Sequence, residues 1–290
     1  MAIVHWANGA GGSWNTKENW DTQQVPTSSD DVFIDAVGTY AVAVSSPGAA
    51  DSLAISSGET VEIQSALNVV NGLGNAGTVT LDNNTSFSLG GTVTNSATGI
   101  NLNSTGNFTD LIIAGTVTLQ GSGNIVFSDV GSDGTNRIYS NNVGSVLDNV
   151  NNTISGAGEI AGGGLSLTNE ASGVINATGT HTLHIHNIVI TNTGILEATG
   201  AGGLLLQSVT LNNTGNSNGG QLKAVGTGNN VSLNSGTIIG GSLITSGGGL
   251  IESIGGGPLL DGSNAGAPVV ITTGSTVQVN DGANLGHDHQ

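Results

Sequence analysis

The sequence predicts an all-β fold, a parallel β-solenoid (β-helix) of roughly ten irregular coils with a Trp-rich N-terminal cap. Three observations predict it. Gly-Thr-Val-Thr occurs at Gly77–Thr80, Gly91–Thr94 and Gly115–Thr118. A second phrase reads Gly-Val-Ile-Asn-Ala-Thr-Gly at 173–179, Gly-Ile-Leu-Glu-Ala-Thr-Gly at 194–200 and Gly-Gln-Leu-Lys-Ala-Val-Gly at 220–226, with a looser copy, Gly-Leu-Ile-Glu-Ser-Ile-Gly, at 249–255. Val, Ile and Leu are spread evenly and alternate in short runs, and no amphipathic helical pattern exceeds two turns.

Residues 1–50 differ in composition. All three Trp lie there, at Trp6, Trp14 and Trp20, with Lys17 among them. Asp31-Val-Phe-Ile-Asp35 and Tyr40-Ala-Val-Ala-Val44 read as strands by alternation. The first rung of a solenoid must hide an open edge and the end of the core, and large amphipathic rings suit that task. The functional alternative for the three Trp is stacking on sugar.

Residues 51–280 are repetitive. The Gly-Thr-Val-Thr copies begin 14 and 24 residues apart, and the later phrases 21, 26 and 29 apart. A period of roughly 20–25 residues suits one solenoid coil, and coils stacked ~4.8 Å apart make a rod near 50 Å long. Inward Val and Ile then stack in the core, and Asn and Thr form ladders at the turns, where an Asn amide reaches the next coil. Ser128–Asn149 breaks the rhythm and reads as an extruded insertion, carrying Asp129, Asp133, Arg137 and Tyr139 as candidate contact residues. Residues 281–290 form a frayed tail.

Composition removes several functional classes. Net charge is −17 and only three residues are Lys or Arg, so the chain lacks the cations that neutralise phosphates. Nucleic acid and anionic membrane are therefore excluded as expected partners, and no stretch is apolar enough for a membrane span. With no Cys there are no disulfides and no thiolate zinc sites. The start has neither a basic nor an apolar signal region, which predicts an internal piece of a larger exported protein or another route of export.

Three constellations hold the residue types that chemistry needs. His181-Thr-Leu-His184-Ile-His186 places two imidazoles on one strand face, where a third ligand, such as Glu197 from the next coil, completes a Zn²⁺ or Ni²⁺ site. His287, Asp288 and His289 form a second chelating group. Asp129-x-x-x-Asp133-Gly134-x-Asn136 offers oxygens for Ca²⁺ but departs from the EF-hand pattern. No resident cofactor is otherwise expected. For catalysis, glycoside hydrolysis needs two carboxylates facing one bond, and no such pair is evident. The Gly runs at 162–164, 247–249 and 255–257 lack the Lys-Ser/Thr of a phosphate loop.

The opening Trp6…Gly11-Gly-Ser-Trp14…Asn19-Trp20…Val25-Pro26…Asp30-Asp31-Val-Phe-Ile34 resembles the start of β-solenoid segments in large bacterial adhesins and autotransporter passengers. The unit at Asn192–Gly200 resembles their repeats. That resemblance implies display and attachment at the cell surface, without catalysis, through a polar face that meets polysaccharide, a surface protein or neighbouring protomers. The chain departs from the family in lacking an export signal and a membrane-anchoring barrel. These departures leave room for a second reading, a phage tail-fibre or capsid-decoration protein in the virion, which docks through its N-terminal segment and forms a homotrimer; a third, ranked below both, is a polysaccharide-processing β-helix enzyme.

Overall fold

A computed structural model describes residues 1–288, apart from 97–98, 130–133, 163, 216–218, 264–266 and 281. It contains thirty short strands and one 3-10 turn, Lys17–Asn19, and no α-helix among the described residues. The strands form two ladders, of 18 and 12 strands, wound into a parallel β-solenoid of about 11 turns. A typical turn contributes two segments to the long ladder and one to the short one. Leu183–His186, Val189–Asn192 and Ile195–Ala198 make one turn, and the next places Leu204–Asn212 and Gln221–Val225 on top of them.

Alternation builds this coil. Each four-residue strand turns two side chains inward, and parallel register puts each on its counterpart one turn away. In the short ladder an unbroken column runs from Val42 through Val61, Val79, Ile100, Ile125, Ile154, Ile175, Leu196 and Leu222 to Leu243. All are buried, each worth about 1.5–3 kcal/mol of hydrophobic stabilisation.

Buried Asn side chains line one corner of the coil. Asn75 Nδ2 donates to Asn95 Oδ1 at 3.0 Å, and Asn95 Nδ2 to Asn152 Oδ1 at 3.0 Å. A second run links Asn149, Asn169, Asn192 and Asn213 at 2.8, 2.8 and 3.0 Å. The Asn ladder expected from composition is present, and it lies inside the corner.

Repeated phrases and repeated positions only partly coincide. The phrases at 173–179, 194–200 and 220–226 stack in the short ladder, Ile175 on Leu196 on Leu222. The looser copy at 249–255 belongs to the long ladder, as Leu250–Ser253. Gly77–Thr80 leads into the short ladder, whereas the other two Gly-Thr-Val-Thr copies lie in the long one. Those two are out of step: Val93 pairs with Leu119, not with Val117. The Gly of each copy serves its own site. Gly91 turns a corner at φ 69, and a Cβ at Gly77 would sit 2.3 Å from the Glu59 carbonyl oxygen.

The 128–149 segment is not extruded as a whole. Asn136–Tyr139 and Val146–Asn149 are rungs of the long ladder, paired with Thr109–Gln120 on one side and the next turn on the other. Residues 1–50 likewise form no separate unit. Ile3–His5 pairs with Asp31–Ile34, which pairs with the next turn, so the aromatic segment is the first turn of the same solenoid. Trp6 meets Trp20 edge-on at 4.8 Å, Trp20 meets Trp14 at 4.9 Å, and Trp6 stacks on Tyr40 at 6.4 Å. Among the described residues no helix is long and apolar enough to cross a membrane.

Candidate functional site

The outward positions of the long ladder bring together residues that lie far apart in the sequence. In register, Ser86 lies beside Asp110, Asp110 beside Arg137, Arg137 beside Glu159 and Glu159 beside His184. Two residues on, Tyr139 lies beside Ala161 and Ala161 beside His186. Arg137, Tyr139, His184 and His186 thus share one face, with Glu159 between Arg137 and His184 and with Asp110 on the far side of Arg137.

Arg137 organises one end of this strip. Its Nε donates to Asp110 Oδ1 at 2.7 Å and its Nη2 to Oδ2 at 2.8 Å, a bidentate pair in a fixed plane. The guanidinium carbon lies 3.7 Å from the Phe108 ring centroid and 4.9 Å from that of Tyr139. Bonding to Asp110 holds the guanidinium above its ordinary pKa, against the opposing effect of partial burial. Phe108 is 56% exposed. Beside it, a groove of about 580 Å³ crosses successive turns, lined by Gln64, Asn84, Ser86, Phe108, Asp110 and Arg137 among others.

At the other end, His184 and His186 do project from one face, their rings 4.3 Å apart. The carboxylate that meets them is Glu159, 3.1 Å from His186 Nε2. Glu197, the expected third ligand, lies on the short ladder, where it accepts from Asn176 at 3.0 Å and pairs with Lys223 at 3.2 Å. His181 faces Asp129 at 2.9 Å, away from the other two. No group of three His, Cys, Asp or Glu among the described residues is placed to hold a metal ion.

The acidic segment is used within the fold. Asp129 accepts from Thr180 N at 2.6 Å, Thr180 Oγ1 at 2.8 Å and His181 N at 3.0 Å. Burial alone would raise its pKa, but these bonds outweigh it and hold the carboxyl well below the usual range. Asn136 is buried, accepting from Ser104 N and donating to Ser128 O. Asp133, the remaining residue of that group, lies outside the described residues, as does His289. His287 and Asp288 sit exposed on the last strand.

Trp6, Trp14 and Trp20 are at most 1% exposed. Their faces are used against one another, so they serve as the core of the first turn and present no platform for sugar. The exposed aromatic that does flank a groove is Phe108, which the sequence reading missed together with Asp110 and Glu159. Their only signal is the register between turns, since Asp110 and Arg137 stand 27 residues apart. Comparison with known proteins finds no family model, no curated protein and no solved structure that matches the chain.

Proposed function

We propose that the chain is a non-enzymatic display rod, a stiff extracellular β-solenoid that mediates attachment at a bacterial surface. One observation carries the reading: five carboxylates act as ties between turns. Asp31 accepts from Ser52, Asp51 from Asn71, Asp110 from Arg137, Asp129 from Thr180 and Glu252 from Ser232 and Asn280. Each bond joins positions on different turns and stiffens the rod. Hydrolysis of a glycosidic bond requires two carboxylates kept available on either side of it, and these acids are engaged within the scaffold. The resemblance of the Trp6–Ile34 motif to adhesin solenoids supports the same reading.

The test is attachment with a readout of turnover. Beads coated with the purified chain are incubated with polysaccharide-coated surfaces, and retained beads and released sugar are both measured. Retention without soluble product is the expected result. Release of new reducing ends by the purified chain would overturn the reading in favour of an enzyme.

A further inference from the structure

We infer that the groove beside Phe108 binds a neutral saccharide. This rests on the attachment reading and names its ligand class. The groove lies at a corner where four turns are stacked in register, Ala66 on Ser86 on Asp110 on Arg137. At ~4.8 Å per turn it extends about 14 Å along the rod. Its volume of about 580 Å³ falls in the range of small-ligand sites.

The lining selects the ligand. Drug-like sites are mostly apolar; this one offers the amides of Gln64 and Asn84, the hydroxyls of Ser65 and Ser86, and one aromatic ring. Amides and hydroxyls both donate and accept, which matches a polyhydroxyl ligand. Phe108 supplies what polar groups cannot, an exposed π face and edge for the C–H side of a sugar ring. The Arg137 guanidinium, 3.7 Å from that ring, covers one face and leaves the rest to the groove. The ring is thereby held by an ion pair that is itself fixed at two points, so little ordering is left for the ligand to induce.

Charge decides between neutral and acidic sugars. Arg137 is the cation of the groove, and Asp110 neutralises it. Around it the chain carries a net charge of −17. A polyuronate or sulfated glycan meets repulsion there without a compensating cation, and a neutral one does not.

The test is affinity electrophoresis of the full chain in gels containing a β-glucan, a galactan, a mannan or a polyuronate. At least one neutral polymer retards the protein. Phe108→Ala weakens that interaction by roughly tenfold, the loss of about 1.4 kcal/mol. Phe108→Tyr preserves it, Gln64→Ala weakens it, and Val189→Ala, at an exposed position outside the groove lining, leaves it unchanged. Melting curves confirm that Phe108→Ala stays folded. Retardation by none of the neutral polymers, retardation by the polyuronate alone, or equal retardation of wild type and Phe108→Ala each overturns the groove. Bead attachment that persists in Phe108→Ala overturns the groove while preserving the attachment role. Retardation without bead attachment preserves the groove and overturns that role.

Discussion

Asn169 donates from Nδ2 to Asn192 Oδ1 at 2.8 Å, and its own Oδ1 accepts from Asn149 at 2.8 Å, so one side chain joins three turns. The same Nδ2 also faces the carbonyls of Gly173 and Ile195. All of this is buried. Asn169→Ala strands a donor on Asn149 and an acceptor on Asn192, and is expected to destabilise the local turns by about 2–4 kcal/mol. Asn169→Asp fares no better, because it buries a charge. Asn68→Ala, on an exposed outward position, stays within about 0.5 kcal/mol. Hydrogen exchange is the appropriate measurement, since a stacked array opens locally.

The Asp110–Arg137 pair is bidentate and largely shielded, with side chains 13% and 23% exposed. A double-mutant cycle with Asp110→Ala and Arg137→Met is expected to give a coupling of about 1–3 kcal/mol that persists at high salt. The Lys17–Glu18 contact, at 4.0 Å between two exposed side chains, serves as the contrast, with coupling near zero.

Two carboxylates make opposite contributions to pH dependence. Asp129 has a lowered folded pKa, so its stabilisation is present above the unfolded carboxylate value, about 3.9, and fades as pH falls through the lower folded value. Asp129→Asn flattens the acid limb of the stability curve. Asp148 is raised, first by burial and then by Glu170, and its Oδ1 is buried without a partner. Its ionised form therefore destabilises the fold at neutral pH. Asp148→Asn is expected to raise the melting temperature at pH 7, with a gain that shrinks as pH falls and Asp148 itself becomes protonated.

The first turn makes a spectroscopic prediction. Tyr40 is buried beside Trp6, and burial followed by the nearby Glu59 pushes its pKa up to about 12. In a Tyr139→Phe protein it is the single tyrosine, and ultraviolet titration is expected to show a midpoint near 12. Stability is unaffected by this group below about pH 10, its unfolded value, and falls above it as the unfolded chain loses the proton first. Tryptophan emission is blue-shifted and resists acrylamide, and neutral saccharides leave it unchanged.

The solenoid was legible because its signals are local. Alternating Val and Ile bracketed by Gly specify a short strand, and their return specifies a stack. The Asn ladder was legible for the same reason, since a polar residue returning at each turn meets its counterpart one turn away. What the sequence hides is which turn lies over which. Gly91–Thr94 and Gly115–Thr118 are identical yet out of register, because alternation alone does not choose among positions of equal polarity. The candidate site depends on that register, so Asp110 and Glu159 gave no sign of standing beside Arg137. The Trp cluster misleads in the other direction: rings that suit sugar also suit a core, and only burial separates the two.

Register between turns is the central claim, and engineered disulfides test it directly, since the chain has no Cys of its own. Thr168 and Thr191 are paired one turn apart on an outward face. A Thr168→Cys, Thr191→Cys protein is expected to form an intramolecular disulfide nearly to completion, because paired positions ~4.8 Å apart suit the bond. Thr168→Cys with Val189→Cys, displaced by two residues, places the Cα atoms about 8 Å apart, beyond reach without backbone movement. Closure of the first pair and not the second is the predicted result; closure of the second alone, or of neither, would contradict the stacked register on which the rod and its groove depend.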